Sequence, residues 1–506
     1  MKLFDSKKWM RVLGLLFIFL QLSFSINGVA QVKREFRGAW IQCVNGQFQG
    51  MSTQAMQQTL TYQLDVLQRD GVNAIIFQVR PECDALYKSS IEPWSRFLTG
   101  RQGLAPQPYW DPLEWMVNQC HQRGMELHAW INPYRARTKS TQDLASTHIK
   151  QRKPQNCFEY DGLTILNPGI PENRDYICQV ALDIVNRYDI DGIHMDDYFY
   201  PYPAAGQTIP DAAQYRQYGS KFSNIGDWRR HNVNLFIEQF YKTVHEAKPW
   251  VKVGISPFGI YRNKNSFADG SNTNGLQNYD DLYADVLLWI EKGWLDYCVP
   301  QIYWEIGNRS ADYKTLINWW ADHAGKRHLY IGEDVERTVK NADPQRPAQN
   351  QQEAKFLLHK QLHANVKGTV LWYAKAVVDN IGSYGDQLRT RYWKTPSLQP
   401  EMTYISKTAP RRVRKLKAVW TSDGYILFWT PPRGTGWKRE ARQYVVYRFA
   451  KGEKVNTEDA SHIVAVTPDT HYKLPYDRGL QKYTYVVTAL DRLHNESKTR
   501  KRTVKL

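Results

Sequence analysis

The sequence predicts an α/β chain in which a (β/α)8 barrel is followed by a C-terminal β-sandwich. Three observations predict it. From Glu35 onward, eight short apolar segments ending in polar or aromatic residues alternate with longer amphipathic ones. The hydrophobic period switches between about 2 and about 3.6 at each junction, as βα units require. Beyond Trp393 the helical period disappears and only strand-like alternation is left. Eight consecutive units favour a closed barrel, because a doubly wound sheet rarely needs so many. The length, 506 residues, also exceeds the roughly 250 to 300 that one hydrophobic core supports.

The first thirty residues read as an export signal: Lys2, Lys7, Lys8 and Arg11 precede an apolar run, and Gly28-Val29-Ala30 offers small residues for cleavage. No cysteine follows that run closely enough to accept a lipid, so a protein free in the periplasm or outside the cell is expected. The barrel is expected over 31–395. Its strands are predicted at 36–44, 74–81, 126–133, 192–198, 252–258, 296–304, 328–332 and 368–374, with helices at 51–69, 113–123, 172–187, 228–247, 279–292, 312–324 and 352–365 between them. A long loop from Tyr198 to about Asp227, rich in Tyr, Pro and Gly, belongs on the catalytic rim, where such loops shape clefts. A proline-punctuated linker is expected at 396–410 and the sandwich at 411–506, with strands at 425–429, 443–449, 462–466 and 483–490.

Composition narrows the function. An aromatic content of 13% excludes a disordered chain. No GxGxxG or P-loop opens a helix, which argues against nucleotide partners, and no nucleic-acid-binding signature is present. Six scattered cysteines without CxxC spacing read as small buried hydrophobes, and His194 with Asp196 is an incomplete ligand set, so neither a cofactor nor a metal is expected. Of the net charge of +17, +12 falls on residues 408–506. A basic sandwich suits docking onto a polyanionic envelope surface, with deletion after Pro400 leaving hydrolysis of short substrates intact.

Reactions on such barrels occur where the strands end, so the polar side chains there are the candidates. Alternation turns Ile193 and Met195 outward and Gly192, His194 and Asp196 inward, with Asp197 just beyond; on the sixth strand it turns Gln301, Tyr303 and Glu305 inward. Carboxylates on two strands facing one cleft suit glycosidic cleavage, one protonating the leaving oxygen and another attacking or activating water. Asp196, Asp197 and Glu305 are therefore the catalytic candidates, with Glu305 as the acid of a two-carboxylate scheme and Asp197, beside Asp196, as the acid where the substrate's own 2-acetamido group attacks. Arg80, Trp130, Asn132, Tyr134, His194, Tyr198, Gln301, Tyr303 and Trp372 are the candidates for holding a sugar chain, since aromatic faces stack on pyranose rings.

Several ordered motifs carry a family resemblance. R-G-A-W at Arg37 to Trp40, N-P-Y-R at Asn132 to Arg135, D-G-I-H-M-D-D-Y-F-Y-P at Asp191 to Pro201, S-P-F-G-I at Ser256 to Ile260 and P-Q-I-Y-W at Pro300 to Trp304 resemble the glycosyl hydrolase-like 10 family through the whole barrel. The C-terminal segment resembles a fibronectin type III domain, with Trp429 as the core tryptophan and Tyr483 at the tyrosine corner. These resemblances imply a TIM-barrel glycosidase of the bacterial envelope whose partner is a glycan, foremost peptidoglycan strands stripped of their peptides. The fold itself is equally compatible with a hydrolase of another extracellular or dietary polysaccharide, or with a non-catalytic glycan-binding protein.

Overall fold

Eight parallel strands close into one barrel in a computed structural model that describes residues 31–506; the expected signal at 1–30 lies outside the described residues. The strands are β1 (Phe36–Ile41), β2 (Ala74–Arg80), β3 (Glu126–Ile131), β4 (Gly192–Met195), β5 (Lys252–Ile255), β6 (Tyr297–Cys298), β7 (His328–Asp334) and β8 (Val366–Trp372). Each pairs with the next, and β8 closes on β1. All eight expected strands are present, but their bounds differ, seven of them ending one to six residues early. The ladder of β6 stops after Cys298, because Pro300 has no N–H to donate, and only single bridges at Gln301 continue it. Strand β7 runs on to Asp334, two residues past its expected end.

Helices start where side chains can cap them. Ser52 accepts from the Ala55 amide ahead of Thr53–Arg69, and Asp111 accepts from Leu113 and Glu114 ahead of Pro112–Gln122. The helix expected at 279–292 is broken into Asn278–Asp281 and Val286–Lys292, with Tyr283 at φ +56° between them and Asp285 capping the second piece. The loop after β3 folds into an antiparallel sheet of Arg135–Arg137, Leu163–Leu166 and Cys157–Tyr160, which the sequence pattern does not predict. Among the described residues none of the six cysteines forms a disulfide, and no helix is long and apolar enough to cross a membrane.

The barrel interior is an aromatic stack made possible by glycine. Phe36 lies flat on Tyr330 at 4.2 Å, and both rings meet Tyr297. Gly254 faces Tyr297 so closely that an added Cβ would sit 1.9 Å from its ring. Gly254→Ala is therefore expected to destabilise the barrel by at least the roughly 1 to 3 kcal/mol of ordinary overpacking, read as a fall in the denaturant midpoint at unchanged slope.

Beyond the barrel, two antiparallel sheets face each other. One contains β9 (Arg414–Thr421), β10 (Gly424–Thr430) and β13 (His471–Lys473); the other contains β12 (Ile463–Thr467), β11 (Gln443–Ala450), β14 (Lys482–Leu490) and β15 (Arg500–Lys505). Trp429, Tyr444, Val446, Tyr485 and Val487 fill the space between them. The strands that sequence patterning missed are β9, β13 and β15, at sheet edges, where charged residues such as those of Arg500–Lys505 blur alternation. The Tyr483 hydroxyl donates to the Gln481 side chain, and Tyr485 is the buried tyrosine of this strand.

The sandwich seals the floor of the barrel. Met402 and Leu493 join the inner cluster of Phe36, Tyr297 and Tyr330. Arg442 and Arg492 both donate to Asp189, at 2.6 and 2.7 Å, and Trp437 packs on Trp250. His494 lies 2.7 Å from Glu126, which also meets His128 and Lys252. Burial alone would raise the Glu126 carboxyl, but Lys252, His494 and His128 hold it well below the usual carboxylate range. The segment 396–410 is packed rather than free: Leu398 bridges to Arg34 and sits in the apolar cluster of Val445 and Tyr447.

Candidate active site

The fourth strand supplies the central pair. Ile193 and Met195 are buried against the surrounding helices, as alternation requires, and Gly192, His194 and Asp196 take the inner side. Asp196 is almost wholly buried. One of its oxygens accepts from the Trp130 indole at 3.3 Å and from the Asn132 side-chain amide. Asn132 is itself fixed by Gln78 at 2.6 Å and by Arg135 at 2.7 Å. Asp197 accepts from the Tyr202 hydroxyl, supplied by the long loop after β4.

Burial sets the electrostatics of both acids. It pushes the Asp196 carboxyl up to about 7, with Arg135 opposing and the charge of Asp197 adding to the rise. It also raises Asp197, whose hydrogen bonds from Tyr202 and Gln301 pull the other way. Two neighbouring carboxyls held by separate partners, one of them poised near neutrality, form a pair able to divide acid and base roles.

Aromatic rings gather around them. Trp372 stacks on Tyr303 at 6.1 Å and meets Trp130 and Trp40 edge-on at 6.3 and 6.1 Å. Tyr198, beneath the Arg135 guanidinium, is among the exposed large side chains. A cavity of about 240 Å³ is lined by Arg135, Tyr160, Tyr198 and Tyr202, the last of which donates to Asp197. Clefts of about 280 and 260 Å³ lie at the junction of barrel and sandwich and follow from the docking.

His194 lies below this floor. The Trp40 indole must donate to its Nε2, at 3.3 Å, which leaves the proton on Nδ1, 3.1 Å from the Tyr297 hydroxyl. Tyr297 then donates to His128 Nδ1 at 2.7 Å, and His128 donates to Glu126 at 2.9 Å. Burial holds the His194 pKa well below its ordinary range. His194 is thus a neutral link in a hydrogen-bonded column that runs to the barrel floor.

The structure brings together Asp196, Asp197, Trp130, Asn132, Tyr198, Gln301, Tyr303 and Trp372. Other sequence candidates stand apart. Arg80 is fully buried, paired with Glu92 at 2.6 Å and donating to the carbonyls of Asn132 and Pro133. Tyr134 is buried against Phe236. The Glu305 carboxylate accepts from Asn308 at 2.8 Å within its own turn. Arg135, Tyr202 and Asp334 belong to the site although strand-end alternation does not single them out. Asp334 follows Tyr330 and Gly332 on the inward side of β7 and caps the next helix through the Arg337 amide; burial raises its carboxyl. Extending the alternation of β7 by two residues would have found it.

The chain matches the glycosyl hydrolase-like 10 family over residues 35–349. It is 41% identical over 490 residues to Glycosyl hydrolase YngK of Bacillus subtilis (strain 168), covering 94% of each chain. Glycosyl hydrolase DigH of Escherichia coli (strain K12) is 40% identical over 288 residues, which span 54% of this chain and 65% of that one. Of solved structures, the glycoside hydrolase domain of PgaB (BpsB) from Bordetella bronchiseptica aligns with a TM-score of 0.46 at 11% identity, over 72% of this chain and 100% of that domain.

Proposed function

The chain belongs to the glycosyl hydrolase-like 10 family and is a glycoside hydrolase, and from that premise we propose that it cleaves β-linked amino-sugar glycan, foremost peptide-free peptidoglycan strands, outside the cytoplasm. The observation that carries this reading is the buried pair Asp196 and Asp197, each with its own hydrogen-bond partners, at the end of β4 beneath Trp130, Tyr303 and Trp372. Adjacent acids suit a substrate whose own 2-acetamido group attacks in place of a second carboxylate. In this proposal the acetamido oxygen attacks the anomeric carbon as the glycosidic bond breaks. Protonated Asp196 gives its proton to the leaving oxygen. Ionised Asp197, steadied by Tyr202, orients the amide N–H. Water then opens the cyclic intermediate and returns a proton to Asp196. The basic sandwich would hold the enzyme against the polyanionic envelope, since an excess of one charge favours a surface of the other.

Mass spectrometry of digests of denuded peptidoglycan glycan, chitin and neutral polysaccharides tests the reading; cleavage of neutral chains alone would remove the acetamido role. A further expectation concerns Tyr202→Phe. The Tyr202 hydrogen bond lowers the Asp197 carboxyl, so its loss raises that group further. The acidic limb of kcat should then move to higher pH while the basic limb stays where it was.

A further inference from the structure

The sandwich carries aromatic rings that its own core does not use. Trp420, at the end of β9, is 56% exposed, and Tyr476 is 47% exposed. Trp420 stacks on Tyr425 at 4.8 Å with an interplanar angle of 15°. Tyr476 meets Trp420 edge-on at 4.6 Å and Tyr425 at 6.3 Å. Leu480, next along the same segment, is 73% exposed. Folding explains Trp429 and Tyr444, which fill the core; it does not explain rings left in water.

Their position matters. The barrel is gripped at Arg442 and Gln443, where β11 begins, and at Arg492 and His494, just past the end of β14. Tyr476 lies in the segment that leads into the start of β14 at Lys482, and that strand runs nine residues to Leu490 at the docked end. At about 3.3 Å per residue the cluster stands roughly 30 Å from the docked end. It is therefore free of the barrel. Lys473 reaches to within 3.5 Å of the place a Cβ on Gly424 would occupy, beside the turn that joins Trp420 to Tyr425, and Lys505 similarly borders Gly479. Asp423 and Asp477 are the acids of the same turns, in a region whose net charge is +12.

We infer that Trp420, Tyr425 and Tyr476 form a second glycan-binding site, remote from the cleft, that takes an acidic amino-sugar polymer. The ligand class follows from chemistry. Pyranose rings present C–H faces that pack on aromatic rings, and mutual stacking holds these rings in place before binding, so little side-chain freedom is lost. The lysines complement carboxylates along such a chain. The identity of the polymer rests on the function proposed above, whereas the existence of a ring-dependent glycan site does not. Such a site would keep a long strand attached after each cut, raising the local concentration of substrate at the barrel mouth.

The test uses the full chain made inactive by Asp196→Asn, so that the polymer survives. Co-sedimentation is measured with denuded peptidoglycan glycan, chitin and a neutral β-glucan, and thermal midpoints within about two degrees of the parent establish folding. Trp420→Leu with Tyr476→Leu is expected to weaken binding to the denuded glycan at least tenfold. Trp420→Phe with Tyr476→Phe, which keeps the rings, should stay within about threefold. Equal binding by the leucine variant on every polymer would overturn the site, as would equal losses in the leucine and phenylalanine variants. A ring-dependent loss confined to the neutral glucan would keep a glycan site and overturn its acidic amino-sugar ligand, while the barrel's own substrate is read separately from the digests.

Discussion

Asp196→Asn is expected to lower turnover at least about a hundredfold, the scale for removing a positioned proton donor, while leaving the fold intact. The carboxamide fits the same place, since its oxygen can still accept from Trp130 and Asn132. In the parent enzyme, activity should fall as pH rises through about 7, where buried Asp196 loses the proton it donates. Stability should move in the same direction. The folded carboxyl is raised to about 7 from an ordinary 3.8, so between these values the folded state holds a proton that the unfolded chain releases. Stability contributed by this group is complete below the lower value and is lost as pH rises to the upper one. Asp196→Asn abolishes that loss, so relative to the parent its melting temperature should rise between pH 5 and pH 8, on the order of several degrees. Full activity at equal stability would sink the assignment. A variant that loses activity but melts lower at every pH would mark Asp196 as a packing residue.

Removing residues 401–506 is expected to cost the barrel its fold, not merely its docking to polymer. The cut would strip Met402 and Leu493 from the rings of Phe36, Tyr297 and Tyr330 and uncover the floor. It would also take His494 from Glu126 and both arginines from Asp189. Uncovering apolar surface costs about 25 cal/mol for each Å² exposed, the lost His494 contact adds roughly 1 to 3 kcal/mol, and whole domains are stable by only about 5 to 15 kcal/mol. The truncated chain should therefore be insoluble or melt far below the parent. His494→Ala, a smaller cut at the same joint, should lower stability by roughly 1 to 3 kcal/mol, because Lys252 and His128 still hold Glu126. A truncated barrel that is soluble, cooperative and active on short oligosaccharides would restore the separable module that composition implied.

Some of this was legible in one dimension and some was not. The eight strands and the inward side of β4 follow from periods of a few residues, because pleat and helical turn act on near neighbours. The prominence of Asp196 and Asp197 needed only the alternation of Ile193 and Met195. Long-range partners carry no such signature. Whether Arg80 faced a sugar or an acid was decided by Glu92, twelve residues away, which takes its guanidinium. Glu305 shares the parity of Gln301 and Tyr303, yet the ladder ends at Cys298, so parity no longer says where its side chain turns. The proline-rich stretch and charged composition of 396–506 read as a loose appendage, and tertiary packing made it the barrel's floor instead. The sequence by itself determined the barrel, its family and the acidic pair, because local periodicity and contiguous motifs encode them. Only the tertiary structure decided which charges pair, which acid is poised near neutrality and what closes the barrel. Those depend on burial and on contacts between residues up to hundreds of positions apart, as between Glu126 and His494.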